Sequence, residues 1–193
     1  MKISETILKT GQLEVMKPWY RRVLGIEVLF EHFVDAATRP GDYGGQTRAN
    51  DLKMCFFRIC NDYPYTQMIG LFEEPGTAIT AAKGVPGLHH MQFMMPDLDT
   101  LVRKYEVLKA DGLRPHRTAN HGVMFSFYYR DPDGNNVEFS AQNFPTLEAM
   151  TKFMSGAYFK ANPSGIEIDD PDAFVARFRS GVPAAELMRL EVP

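Results

Sequence analysis

Apolar and polar residues along the chain switch between two periods. Residues 3–9 read as a strand. QLEVMKPWYRRVL (12–24) sets Met16, Trp19, Tyr20, Val23 and Leu24 at helical spacing, with Gly25 as a stop. Pro18 inside that run predicts a kink, or a helix whose regular part begins near Lys17. IEVLFEHF (26–33), KMCFFRIC (53–60) and TQMIGLF (66–72) read as strands, giving the order βαβββ.

The same order then returns. LHHMQFMM (88–95) is a strand. DLDTLVRKYEVLKAD (97–111) is a helix with Leu98, Leu101, Val102, Tyr105 and Leu108 on one face, Asp97 as N-cap and Gly112 as stop. Strands follow near 113–118 and 122–129, then a DPDGN turn and NVEFS (136–140). Superposing the halves at an offset of 85 sets Leu13 on Leu98, Tyr20 on Tyr105 and Glu5 on His90. Few residues are identical, so the matching order of elements carries the repeat.

Two segments break the pattern. VDAATRPGDYGGQTRAND (34–51) is long, rich in Gly and Pro and without periodicity, which predicts disorder or a functional lid. Beyond residue 141, FPTLEAMTKFMSGAYF predicts a short helix and NPSGIEID an extended stretch. DPDAFVARFRSG predicts a helix with Asp170 as N-cap and Pro171 at its first position, and PAAELMRL one or two more turns. About 50 residues make a marginal core alone, so this tail is expected to pack on the domain or on a partner subunit.

The expected fold class is therefore α+β. Two βαβββ modules form a cupped mixed sheet around a central site, followed by a helical C-terminal tail. A single domain is expected over 1–143, with modules 1–75 and 86–143 and an extension over 144–193.

Composition narrows the function classes. The 193 residues carry a net charge of −3, which offers no basic footprint for nucleic acid. No run is long and apolar enough for a membrane span, and MKISETILKT is too polar for a signal peptide, so a cytoplasmic protein is the default expectation. Cys55 and Cys60 form no CxxC or zinc knuckle and read as reduced structural thiols.

Candidate chemistry gathers in the second half. His90 and Glu138 lie in its opening and closing strands, and an imidazole and a carboxylate facing one concavity suit a divalent metal. A packed strand histidine and an exposed strand glutamate would explain the same letters. His121 and Tyr128, in NHGVMFSFYYRDPDG, are candidate proton-transfer or hydrogen-bonding groups, or else a loop residue and a half-buried aromatic. Glu5 reads as a solvated edge residue unless pseudo-twofold symmetry sets it opposite His90. Strand alternation sends His89 to the face away from His90.

LKTGQLEVMKPWYRRVLGIEVLFE, GLHHMQFMMPDLDTL and SFYYRDPDGNNVEFS together resemble the vicinal oxygen chelate superfamily, which includes glyoxalase I, bleomycin-resistance proteins and type I extradiol dioxygenases. The nearest likeness is to small single-domain proteins of the biphenyl-diol dioxygenase kind. The resemblance implies His90 and Glu138 as metal ligands, Tyr128 as a substrate-holding group and His121 as a substrate contact. It also implies a ligand histidine at the start of the first strand, where Glu5 stands in ETILKT, and a proton-handling histidine near Thr66 or Gln67, where there is none.

Three functions follow as expectations. The first is an enzyme of extradiol-dioxygenase ancestry acting on a phenolic or polyketide-like aromatic molecule, with His90, Glu138 and Glu5 on Fe(II) or Mn(II). The second is a redox-neutral isomerase, cyclase or lyase using those residues as ligands or, metal-free, as acid and base; a second carboxylate suits a Lewis-acid metal about as well as oxygen activation. The third is a non-catalytic binder, as in resistance proteins. A homodimer is expected from the family habit and from tail residues such as Phe153 and Phe159 if they are exposed.

Overall fold

The first helix, α1 (Leu13–Leu24), follows β1 (Glu5–Thr10) and runs through Pro18. The hydrogen bond that proline removes would have ended on the carbonyl of Glu14. Both residues are exposed, so water can take its place. Gly25, at φ 72°, closes the helix with its N–H on Arg21 O. Short strand β2 (Phe30–His32), the hairpin β3 (Asp42–Tyr43) and β4 (Gln46–Thr47), and the long strands β5 (Lys53–Cys60) and β6 (Gln67–Glu73) follow.

The computed structural model describes residues 2–35, 41–44, 46–74, 76–77 and 87–190. Parts of the 34–51 insertion and most of the junction between the two modules lie outside these. The described part of the insertion carries the β3–β4 hairpin and a 3-10 turn at Ala49–Asp51.

The chain divides into two compact units, residues 1–86 with 131–134, and 87–130 with 135–193. In the first, the sheet order is β1-β6-β5-β2, with β1 parallel to β6 and the other pairs antiparallel. One face carries Leu8, Cys55, Phe57, Ile69 and Leu71 against Met16, Tyr20 and Val23 of α1, all buried. The other carries Ile7 and Phe56, which close over Gly70: a Cβ there would lie 2.4 Å from Ile7 Cδ1. The predicted strand over 26–33 shrinks to Phe30–His32 for a local reason. Residues 26–28 would face Arg58–Cys60, where β5 shifts register.

The second unit begins with β7 (His90–Met95) and α2 (Leu98–Ala110), capped by Asp97 as predicted, its carboxylate accepting from Thr100 N–H at 2.7 Å. Leu113 N–H turns back to Leu108 O, so 113 belongs to the helix exit. Strand β8 accordingly starts later than predicted, at Arg117–Asn120. Then come β9 (Met124–Arg130) and β10 (Asn136–Gln142). The tail holds α3 (Leu147–Ser155), α4 (Ala157–Ala161), β11 (Ile166–Glu167), α5 (Pro171–Arg179) and α6 (Ala184–Leu187). One helix was expected over α3 and α4; Gly156 is extended and splits it. The sheet order is β11-β8-β9-β10-β7, with β7 parallel to β10.

The architecture is thus α+β, with mixed sheets of four and five strands and helices at the C-terminal end. The tail packs on its own unit. Phe174 of α5 stacks on Phe125 with centroids 4.0 Å apart, and Asn120 Nδ2 donates to Met188 O at 2.8 Å. Phe153 is half-buried, set among Phe144, Tyr158 and Phe159.

Asp172, at the start of α5, accepts from Lys109 Nζ at 2.5 Å, from Arg114 at 3.2 Å and from the Tyr105 hydroxyl. Lys109 foremost, then Tyr105, hold its carboxyl well below the usual carboxylate range. A lowered folded pKa gives stability that is present above the unfolded value of about 3.9 and is lost as pH falls through the folded one. The site is half exposed, so the contribution is below about 1 kcal/mol. Asp172→Asn is expected to lower the urea midpoint at pH 7; the gap to wild type should begin to narrow below about pH 4, where the unfolded carboxyl protonates, and close only once the folded carboxyl is itself protonated, as unfolding curves across pH would read.

Candidate active site

Glu138 is placed by β10, and alternation decides its neighbours. In the register of the second sheet, Glu138 stands opposite Tyr128 on β9 and Gln92 on β7, and Tyr128 stands opposite Arg117 on β8. Directly opposed residues share a face. Arg117, Tyr128, Glu138 and Gln92 therefore form one row across four strands. The row beside it carries Ser126 and Ser140, also opposed. The opposite face, with Phe125, Phe127, Phe139 and Val137, is buried, and Phe127 stacks on Tyr105 of α2.

Glu138 is 1% exposed. A buried carboxylate is costly unless donors surround it. Ser140 Oγ donates to Oε1 at 3.1 Å and Gln92 Nε2 approaches the same oxygen at 3.4 Å. Gln92 also donates to Ser140 Oγ at 3.0 Å. Ser140 has spent its proton on Glu138, so the 2.9 Å contact with Ser126 runs with Ser126 as donor. These groups engage Oε1. The other oxygen, Oε2, lies 3.2 Å from His90 Nε2.

His90 is partly exposed, and its Nδ1 lies 2.7 Å from His89 Nδ1. Of two imidazole nitrogens in contact, one carries the proton and the other accepts it. This corrects the placing of His89 on the opposite face. Strand β7 begins at His90, so His89 lies outside the pleat and alternation does not bind it. Facing Glu138, His90 holds its proton on Nε2. With Nε2 given to a cation, the proton would sit on Nδ1 and His89 would accept it.

Tyr128 and His121 meet as a pair. His121 Nδ1 lies 2.7 Å from the carbonyl of Ser164 and Nε2 lies 2.8 Å from the Tyr128 hydroxyl. A carbonyl only accepts, so Nδ1 carries the proton in the neutral ring and the Tyr128 O–H donates to Nε2. Burial, and next the Glu138 carboxylate, push the Tyr128 phenol well above its usual 10, while Arg117 opposes them. The Arg117 guanidinium lies over the Tyr128 ring, 4.7 Å from its centroid. Burial and the positive charge of Arg130 pull His116 down; its Nε2 meets Asn136 Oδ1 at 3.1 Å.

Glu5 is the first residue of β1, exposed and opposite Met68 in the first unit. Gln67, which with Thr66 marks the place where the resemblance implies a histidine, donates its amide to Ile3 O at 3.0 Å. Arg117, Gln92 and Ser140 escaped the sequence reading. Period-two alternation from His90 and Glu138 would have reached Gln92 and Ser140, two residues on in each strand; Arg117 needs the strand register.

Residues 2–139 match the profile of the Glyoxalase/Bleomycin resistance protein/Dioxygenase superfamily. The chain belongs to that superfamily. It is 33% identical over 187 residues to biphenyl-2,3-diol 1,2-dioxygenase 3 of Rhodococcus globerulus, spanning 96% of this chain and 86% of that one. To biphenyl-2,3-diol 1,2-dioxygenase 2 of the same organism it is 30% identical over 168 residues, 87% and 77% of the two chains. A glyoxylase/bleomycin resistance protein/dioxygenase domain from Frankia sp. EAN1pec shares the fold, with a TM-score of 0.56 at 19% identity over 74% of this chain and 98% of that one. Dioxygenase ancestry follows for this superfamily member.

Ser140→Ala would remove a donor from the buried Glu138 carboxylate. It is expected to cost about 1–3 kcal/mol in unfolding free energy, measured by urea denaturation against Ser140→Thr, which keeps the hydroxyl.

Proposed function

We propose that this chain is a divalent-metal-dependent enzyme that cleaves the ring of an aromatic vicinal diol. The observation that carries the proposal is the His90–Glu138 pair. Its two facing atoms are 3.2 Å apart. Donors that bind one cation at about 2.0–2.2 Å stand about 3 Å apart when they meet it at a right angle. The donor set fits: one imidazole, and one buried carboxylate whose second oxygen is already held by Ser140 and Gln92. Within the second unit, no third His, Cys, Asp or Glu among the described residues joins the pair. Glu5, which superposing the two halves sets on His90 and which stands where the resemblance implies a ligand histidine, is the proposed third ligand.

When bound, Fe(II) or Mn(II) supplies Lewis acidity and oxygen activation at the diol. The chain supplies the rest. Tyr128 offers a phenol held protonated by its surroundings, and His121, its Nδ1–H committed to Ser164, offers Nε2 as the place where the Tyr128 proton can go. Arg117 keeps a positive charge beside that phenol. The likeness to two named diol dioxygenases over most of their length supports the aromatic diol as substrate.

A redox-neutral isomerase or lyase is the second reading. It is favoured by Glu5 in a histidine's usual place and by Gln67, tied to Ile3 O, in another's.

Oxygen-electrode assays with catechol and biphenyl-2,3-diol, after anaerobic loading with Fe(II), decide between them. Ring cleavage predicts one dioxygen consumed per diol, with kcat falling about 10²–10⁴-fold in Tyr128→Phe and in His121→Ala. Substrate turnover without oxygen uptake, lost in Glu5→Ala, would establish the second reading instead.

A further inference from the structure

The C-terminal arm reaches round the edge of the second sheet and touches the site row from outside. Helix α5 covers one face, where Phe174 stacks on Phe125. Strand β11 pairs along the edge strand β8, Ile166 opposite Asn120 and Glu167 opposite Ala119. The pairing continues with Ile168 N–H on Thr118 O at 2.9 Å. Glu167 thereby shares the face of Ala119 and Arg117, the face that carries Tyr128.

We propose that Ser164–Glu167 is a positioning element for the Tyr128–His121 pair and not packing alone. The proposal rests on the reading of that pair as the proton-handling group. Two contacts carry it. The Ser164 carbonyl fixes the His121 tautomer from 2.7 Å, leaving Nε2 to accept from Tyr128. The Glu167 carboxylate grips Arg117 through Nε at 3.0 and 3.1 Å and Nη2 at 2.5 Å, and so holds the guanidinium over the Tyr128 ring. The two contacts act on the same phenol, one through His121 and one through Arg117, from residues three apart on one segment.

Gly165 makes the approach possible. Its φ is +71°, and a Cβ would lie 1.9 Å from Asn120 O and 2.5 Å from His121 Cα. Any side chain there must push the segment off His121. The arm has further anchors away from these contacts. It is anchored separately by Phe174 and by Asp172 with Lys109, Tyr105 and Arg114.

The test is nuclear magnetic resonance on the full chain with ¹⁵N-labelled histidine and arginine, beside steady-state kinetics. In wild type, His121 is expected as the Nδ1–H tautomer and Arg117 side-chain resonances as ring-current shifted. Gly165→Val should populate the Nε2–H tautomer. With biphenyl-2,3-diol it should lower kcat by about tenfold or more and leave KM within about threefold. Glu167→Gln, a surface change that spares the backbone, should move the Arg117 resonances toward random-coil positions, and Glu167→Asp should restore them in part. A wild-type Nε2–H tautomer overturns the proposal, as does an unchanged His121 and Arg117 in folded variants whose melting temperature alone falls. If Gly165→Val does not fold, Glu167→Gln decides. If wild type turns over no diol, the ring-cleavage reading fails while the tautomer and Arg117 signals still judge the arm.

Discussion

A carboxylate with almost no contact with water sits in the middle of the second sheet, and the sheet is organised to tolerate it. A carboxylate buried that deeply is costly unless donors surround it. Ser140, backed by Ser126, and Gln92 engage one oxygen and orient the other toward His90. The aromatic face behind it, built on Phe125, Phe127 and Phe139 against α2 and α5, keeps the strands in the register that brings those donors together. A one-residue slip of β10 would turn Glu138 into that apolar face and Phe139 into the site.

Much of this was legible in the sequence, because period and caps are local. The repeated order of elements, the Asp97 and Asp170 caps, the inward set of α2 and the buried Met16, Tyr20 and Val23 of α1 follow from residue type and spacing. What was not legible depends on partners far away in the chain. IEVLFEHF has the alternation of a long strand, yet only its end finds a partner in register. Gly156 is extended where a helix pattern runs through it. His89 escaped the alternation argument because the strand begins one residue later.

The site shows the same division. His90, Glu138, Tyr128 and His121 were recoverable from residue type and family likeness, and the second unit brings them onto one face or into direct contact. Arg117 was not, since nothing in RTAN marks an arginine that lies over a tyrosine eleven residues on. Its role appears with the β8–β9 register and with Glu167 in the tail. The tail carries a similar lesson. Its composition suggests a packing arm, and α5 serves as one. Its extended stretch, which composition cannot distinguish from a linker, is the part that meets the site.

Titration of Mn(II) into metal-free protein, followed by electron paramagnetic resonance of the free ion, tests the central claim most directly. The account predicts one Mn(II) held per chain, with affinity reduced at least about tenfold in His90→Ala and in Glu138→Gln while both variants stay folded. Undiminished binding in both variants, or no binding by the wild type, would contradict it.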